Sequence, residues 1–238
     1  MPESLVWWLD EAGRERVERA TPDLRGESLH LARMARYPKA YPGMENRHGR
    51  YWFASSDQHV WHESLFESTA LLWLDFGGNV RSIASQPMKL VFGSGAEHFP
   101  DFFALLHSGE QVLIDVRPRA LITKTIQTQF DSTADLCATL GWTYRVLSAF
   151  DPVETANLKW IAGYRHPRNR PDAQTRRRIL DEFEAPRPLW TGAAFVAGPD
   201  RHRRAVLPRI YHLMWSRVLD FDLSLPLAPS TRLWQWTR

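Results

Sequence analysis

The hydrophobic pattern in the middle of the chain predicts a β-hairpin. Apolar and β-branched residues occupy 97–103 and 112–118, and the polar stretch between them, 107–110, contains a glycine. A short polar connection of this kind is typical of hairpins. Asp101 lies where the first strand begins, and Asp115 lies in the middle of the second.

Alternation along the second strand predicts where its charged side chains point. Successive side chains of a strand face opposite ways, so Asp115 and Arg117 share one face and Val116 points to the other. Because Ile114 and Val116 indicate a half-buried strand, we expect Asp115 and Arg117 to lie in solvent or in a cleft. An Asp-x-Arg pair on an exposed face is also ordinary for a protein surface, and both interpretations stay open.

A helix is predicted upstream of the hairpin, over 60–76, with its end at Gly77-Gly78. Glu63 and Glu67 stand four residues apart, which places both carboxylates on one face of a helix. Further patterns predict strands over 51–54, 79–85, 88–92 and 142–147, and a helix over 123–140 with Leu136, Cys137 and Leu140 on its apolar side.

These elements predict a mixed α/β core over residues 51–150. Residues 1–50 contain scattered prolines and many charges, and we interpret them as an N-terminal arm or lead-in with a short helix over 11–20. From 151 the pattern becomes helical, so residues 151–238 form a predicted C-terminal region with a winged-helix-like outline. Its predicted helices cover 151–162, 173–183 and 204–218, and its short strands cover 220–223 and 233–236.

Composition narrows the class of protein. The chain is 44% hydrophobic and 24% charged, as expected of a globular protein. The single cysteine, Cys137, excludes an internal disulfide and a zinc site built on several thiolates. No apolar run approaches the roughly 18 residues of a membrane span, so we expect a cytoplasmic protein without a membrane partner.

Positive charge is concentrated in the C-terminal region. Residues 159–209 hold twelve Lys and Arg against five Asp and Glu, and Arg176, Arg177 and Arg178 are consecutive. Arginine binds phosphate through a planar fork that is always charged, so this stretch suits contact with a nucleic acid. A solvated surface with ion pairs is the alternative interpretation.

The order of acids along the chain carries a resemblance to a known family. A helix glutamate, a Pro-Asp pair at the start of a strand and an Asp-x-basic triplet on the next strand are similar to the PD-(D/E)xK nucleases. The segments Glu67 to Gln86-Pro87, His98-x-Pro100-Asp101-Phe102 and Asp115-Val116-Arg117-Pro118 resemble the TnsA-like endonuclease subunit of heteromeric transposases. This resemblance covers about residues 50–165.

The resemblance implies a restriction-endonuclease-like fold and Mg²⁺-dependent cutting of DNA at the 5′ ends of a mobile element, with Mn²⁺ as a substitute. It also implies a DDE-type transposase partner that acts on the 3′ ends, and an ATP-dependent regulator. Mg²⁺ is bound in such sites through one or two carboxylates together with substrate phosphate. The bound ion activates water and stabilises the displacement at phosphorus.

By position, the family's catalytic glutamate matches Glu67, with Glu63 as a reserve ligand or a surface acid. The metal-binding aspartate matches Asp101, and Asp115 completes the predicted carboxylate set. Arg117 occupies the position of the catalytic lysine, although arginine does not release its proton and is not equivalent to lysine. The remaining predicted substrate contacts, each of which also has a structural interpretation, are Gln86, His98, Arg176, Arg177 and Arg178.

Two other functions stay open. The chain could be a restriction or phage-defence nuclease of the same fold. Because of Arg117, it could also be a catalytically silent module that binds DNA or a partner protein.

Overall fold

The computed structural model describes residues 3–36, 47–199 and 202–237. Its contacts divide the chain into two compact units, Met1–Ala149 and Phe150–Arg238. The predicted C-terminal region starts one residue after this division. The mixed α/β class that the sequence predicts is confirmed. No helix in the described ranges is both long enough and apolar enough to cross a membrane.

The first unit holds ten strands and two α-helices in its described part. They are β1 (Leu5–Leu9), β2 (Glu15–Arg19), β3 (Gly49–Phe53), β4 (Gln58–His62), α1 (Leu65–Gly77), β5 (Val80–Ser85), β6 (Met88–Val91), β7 (Glu97–His98), β8 (Phe102–Leu106), β9 (Gln111–Val116), α2 (Lys124–Leu140) and β10 (Thr143–Leu147).

The predicted hairpin is confirmed as β8 and β9, which pair antiparallel with Phe103 opposite Leu113. Their sheet has the order β10-β9-β8-β5, and β10 runs parallel to β9 after the connection through α2. The first hairpin strand is shorter than predicted, because residues 97–98 form the separate strand β7 and pair with β6 instead.

The half-buried environment predicted for β9 is wrong. Every residue from Val112 to Val116 is buried, and Asp115 is only 3% exposed. Leu113 packs in a cluster with Leu136 and Cys137 of α2, while α1 lies close to β9 as well. An inner strand of a sheet is buried when other elements cover that sheet. Polar residues in its sequence do not change this. Arg117, beyond the end of β9, is exposed.

Helix α1 begins five residues later than predicted, because residues 60–62 continue β4. Ser64 is its N-cap, and its side chain accepts a hydrogen bond from the backbone N–H of Glu67. Glu63 therefore precedes the helix, and the predicted pairing of Glu63 and Glu67 on one helical face is wrong. The predicted end is confirmed, since Gly78 adopts the left-handed conformation with φ of 66°.

Helix α2 agrees with its prediction. It runs over Lys124–Leu140 and ends at Gly141, whose φ is 70°. Its residues Leu136, Cys137 and Leu140 are buried, as the apolar periodicity indicated. Burial raises the pKa of the Cys137 thiol to about 12, so this cysteine behaves as a protonated core residue.

The interpretation of the N-terminal residues as a loosely attached arm is wrong where the structure describes them. The predicted helix over 11–20 is replaced by the strand β2, which pairs with β1. These two strands join β6 and β7 in a second sheet of order β2-β1-β6-β7. Val6 and Trp8 are buried in the same core as α2. Residues 1–2 and 37–46 of the predicted arm lie outside the described residues.

The second unit combines helices with a small antiparallel sheet of order β11-β13-β12. The helix predicted over 151–162 is confirmed, and its N-cap is Asp151, whose carboxylate accepts hydrogen bonds from the N–H groups of Val153 and Glu154. One apolar helix, α5, was not predicted. The elements are α3 (Pro152–Ala162), α4 (Ala173–Glu182), β11 (Arg187–Pro188), α5 (Leu189–Ala197), α6 (Leu207–Trp215), β12 (Leu219–Phe221) and β13 (Arg232–Gln235).

Candidate active site

Asp101 forms hydrogen bonds near the ends of three strands in the sheet of order β10-β9-β8-β5, which we call the central sheet. It immediately precedes β8, and its Oδ2 accepts a hydrogen bond of 2.7 Å from the backbone N–H of Val116 at the end of β9. Its own carbonyl accepts a hydrogen bond of 2.7 Å from the backbone N–H of Gln86, which follows β5. The carboxylate is therefore fixed where β5, β8 and β9 meet.

Several acids surround this position. The pKa of Asp101 is raised well above its ordinary value, first by burial and then by the negative charges of Asp115 and Glu67, with a smaller effect of Glu63. The hydrogen bond from Val116 opposes this effect. Asp115 and Glu67, which come from separate segments, are thus each within electrostatic range of Asp101.

The Asp115 carboxylate is engaged by two neighbouring side chains. His98 Nε2 lies 3.0 Å from Oδ1 and 2.8 Å from Oδ2, and the Tyr144 hydroxyl donates to Oδ2. Burial, followed by the charge of Asp115, raises the pKa of Tyr144, so this phenol remains a donor. The contact favours the structural alternative for His98, since the imidazole faces a buried aspartate.

Glu67 closes the first turn of α1. Its Oε1 accepts a hydrogen bond of 2.9 Å from the Ser64 hydroxyl, and its Oε2 accepts one of 2.7 Å from the backbone N–H of Glu63. Together with the N-cap bond from Glu67 N to Ser64, this arrangement resembles a capping box, except that the glutamate accepts from the N–H of Glu63 and not from that of the N-cap residue. Burial raises the pKa of Glu67. The carboxylate predicted to be catalytic therefore also stabilises its own helix.

Unpartnered oxygens lie on the residues beside these acids. Glu63 Oε2 pairs with Arg36 Nη2 at 3.0 Å, while its Oε1 is buried without a hydrogen-bond partner. Ser85 Oγ and Gln86 Oε1 are also buried without partners. Gln86 is 2% exposed and has a φ of 44°, which is rare for a residue other than glycine and is often found at functional sites.

The predicted basic residues are all exposed. Arg117 is exposed, its backbone N–H donates to Leu147 O at 3.0 Å, and no ion pair joins it to an acid within the described ranges. Arg176, Arg177 and Arg178 are exposed on α4 of the second unit.

The donor chemistry fits a hard divalent cation, although the side chains do not converge into a complete ligand set. No three His, Cys, Asp or Glu side chains of the described residues are placed to hold a metal ion. The donors present near Asp101 are nevertheless oxygens, and Glu63 Oε1, Ser85 Oγ and Gln86 Oε1 lack partners. Mg²⁺ needs only one or two protein carboxylates when substrate phosphate and water supply the remaining oxygens.

Sequence reasoning missed Tyr144, which reaches Asp115 only because β10 lies beside β9. It also missed the structural role of Glu67, although the pattern Ser64-x-x-Glu67 is a recognisable capping signal. Comparison of the sequence with models of known families gives no match, and comparison with curated proteins gives none either. The resemblance to TnsA-like endonucleases stays a prediction.

Proposed function

We propose that this protein is a Mg²⁺-dependent DNA endonuclease of the PD-(D/E)xK type. The observation that carries the proposal is the position of Asp101, where three strand ends meet and where burial, followed by the charges of Asp115 and Glu67, raises its pKa. Acids crowded in a partly buried place are costly unless a cation or a proton compensates them. A divalent cation beside a phosphodiester would supply that compensation.

The mixed α/β class of the fold is compatible with this proposal. The order α1, β5, β8, β9, α2, β10 builds one mixed sheet with a helix before and within it, as expected of a restriction-endonuclease-like core. In the second unit, exposed arginines on α4 supply a basic surface for phosphate contact. Helices with a small antiparallel sheet support a winged-helix-like module there.

Each residue has a defined role in the proposed reaction. Asp101 would hold the cation, with oxygens of Glu63 and Gln86 available beside it. A bound Mg²⁺ supplies an activated water and neutralises charge at phosphorus. Glu67 fixes the first turn of α1, Asp115 orders β7 and β10 around the site, and the exposed Arg117 is free to bind substrate phosphate.

The proposed biological setting is that of a TnsA-like subunit, which would work with a DDE-type transposase and an ATP-dependent regulator. DNA is the proposed substrate both for a transposase subunit and for a restriction or phage-defence nuclease. Terminal repeats beside the coding region would favour the transposase subunit. A catalytically silent binding module is the second candidate. It is favoured by the engagement of both Asp115 oxygens and by the arginine at position 117.

Metal binding and DNA cleavage test the proposal together. Wild-type protein should bind Mn²⁺ in calorimetry and cut supercoiled plasmid DNA when Mg²⁺ is present. Asp101→Asn should lose at least about 10²-fold in cleavage and most of the Mn²⁺ binding, because a charged ligand is removed. Asp135→Asn, which changes an exposed acid of α2, is the matched control and should leave both unchanged.

Equal Mn²⁺ binding by wild type and Asp101→Asn would contradict the proposed metal site. Metal binding that depends on Asp101, without cleavage even after the proposed partners are added, would favour the silent module.

A further inference from the structure

A cavity of about 750 Å³ lies in the first unit, beside the candidate site. Its volume is in the range of small-molecule sites, about 300–1,000 Å³. Its walls come from residues 30–34, 58–61 and 83–85, together with Glu11, His48 and Arg50. The last of these segments belongs to β5, the edge strand of the central sheet.

The cavity combines an apolar interior with a cationic rim. Ala32, Val60, Ile83 and Ala84 are buried lining residues. Arg33 and Arg50 are exposed and line the same cavity, and Glu11 is the single carboxylate among the described lining residues. A rim of this charge favours a ligand that has an anionic group attached to an apolar or aromatic body.

One wall presents stacked rings. His48 and Trp61 lie with their ring centroids 5.1 Å apart and an interplanar angle of 26°. Trp61 Nε1, His30 Nδ1 and Ser85 Oγ are polar atoms of lining residues that lack a hydrogen-bond partner. Burial lowers the pKa of His30, which keeps its imidazole neutral, with one donor and one acceptor. A planar aromatic ligand is complementary to the rings of this wall.

The cavity also adjoins the catalytic centre proposed above. Ser85 lines the cavity, and the next residue, Gln86, donates its backbone N–H to the carbonyl of Asp101. A DNA strand whose phosphate lay at Asp101 could therefore extend a neighbouring nucleotide toward the cavity.

We propose that this cavity binds one nucleotide, with its base against the Trp61 wall and its phosphate at Arg50. The inference rests on the proposed function for the identity of the ligand. The nucleotide could belong to an unpaired stretch of the DNA substrate, because a base enters a pocket only after it leaves the duplex stack. It could also be a free nucleoside monophosphate.

Fluorescence of 2-aminopurine tests the proposal, since this base analogue loses emission when it stacks on an aromatic ring. The full chain in EDTA is titrated with two probes, the free 2-aminopurine deoxynucleoside monophosphate and a short single strand that contains this base. Wild type should quench at least one probe. Trp61→Leu should weaken that binding by about tenfold through lost stacking. Arg50→Glu should weaken the same binding by about tenfold or more, because it places a negative charge where the arginine would bind the phosphate.

Arg145→Glu is the matched control, because Arg145 is exposed on β10 and does not line the cavity. It should change the affinity by less than about twofold, as expected of a distant exposed charge in salt. Quenching of the free monophosphate identifies a free nucleotide as the ligand, and quenching of the strand alone identifies the DNA substrate.

Absence of quenching for both probes, or equal weakening by Arg50→Glu and Arg145→Glu, would overturn the inference. Because EDTA removes divalent metal, the measurement does not depend on cleavage. Retained quenching without nuclease activity would count against the proposed function alone, and active cleavage without quenching would count against the cavity alone.

Discussion

At the scale of single residues, Asp101 and Arg117 have opposite environments. Asp101 is held by the N–H of Val116 among other acids, whereas Arg117 is exposed beyond the end of β9. A buried acid that is crowded by like charges favours protonation or a cation. An exposed guanidinium is positioned to meet phosphate but does not act as a proton carrier.

The raised pKa of Asp101 predicts a pH-dependent cost to stability. Between the unfolded pKa near 3.9 and the raised folded value, the folded state binds more protons than the unfolded state. The free energy of unfolding therefore falls as pH rises through this window. Asp101→Asn removes the cost, so its stability relative to wild type should increase from pH 4 upward in urea unfolding experiments.

Addition of Mg²⁺ at pH 8 should reduce the difference in the free energy of unfolding between Asp101→Asn and wild type. The cation stabilises the ionised Asp101 carboxylate, which only the wild type has. A relative stability of Asp101→Asn that does not change with pH would show that Asp101 titrates normally.

Arg117 leads to a separate prediction about catalysis. Arg117→Lys should preserve or raise cleavage, because lysine keeps the positive charge and, unlike arginine, can release its proton. Arg117→Ala should lower cleavage by about 10²-fold through lost stabilisation of phosphate charge. Initial rates on plasmid DNA measure both effects, and Arg119→Lys, another exposed arginine nearby, serves as the control.

If Arg117→Lys abolished cleavage while folding and metal binding survived, the role assigned to this position would be wrong.

At the scale of elements, one buried aspartate joins three strands. Asp115 of β9 contacts His98 of β7 and Tyr144 of β10, and thereby links the two four-stranded sheets of the first unit. Hydrogen bonds to a charged group contribute about 1.5–3 kcal/mol. The network therefore stabilises the position of β9, and with it the Val116 N–H that holds Asp101.

Tyr144→Phe should lower the free energy of unfolding by about 1–3 kcal/mol, because it removes the hydroxyl donor and keeps the ring. Urea unfolding followed by circular dichroism measures the change. Tyr164→Phe is the control and should shift stability by less than about 0.5 kcal/mol, since no hydrogen bond of its hydroxyl is found in the described part. Equal stability of Tyr144→Phe and wild type would argue against this network.

At the scale of the whole molecule, the two units have different surface chemistry. The first unit contains the buried acids, while the second exposes consecutive arginines on α4. This division suits a protein that cleaves with one unit and holds the phosphate backbone with the other. Contacts to the phosphate backbone of DNA contribute affinity but do not distinguish one base sequence from another.

Replacement of Arg176, Arg177 and Arg178 by Gln should weaken DNA binding and reduce the salt dependence of log K by about 2–3 in slope. Fluorescence anisotropy at several salt concentrations measures both quantities. The matched control replaces Arg14, Arg16 and Arg19, each of which already pairs with a carboxylate, and should have a much smaller effect. Equal losses in the two triple variants would indicate a general charge effect instead.

The sequence by itself determined the features that depend on neighbours along the chain. Gly78 and Gly141 end their helices because glycine adopts the left-handed conformation easily, and Asp151 caps α3 because its side chain reaches the next N–H groups. The hairpin of β8 and β9 follows from two apolar runs joined by a short polar turn. These signals are local, so no tertiary information was needed to find them.

Only the tertiary structure decided what each acid does. Asp115 is buried because other elements cover its sheet, and its partners His98 and Tyr144 lie 17 and 29 residues away in sequence. The strands near the N-terminus join the core through pairing with β6, which the charge-rich pattern of 11–20 did not reveal. The burial of Asp115 and the long-range pairing of these strands depend on the packing of distant segments, which the local pattern around them did not specify.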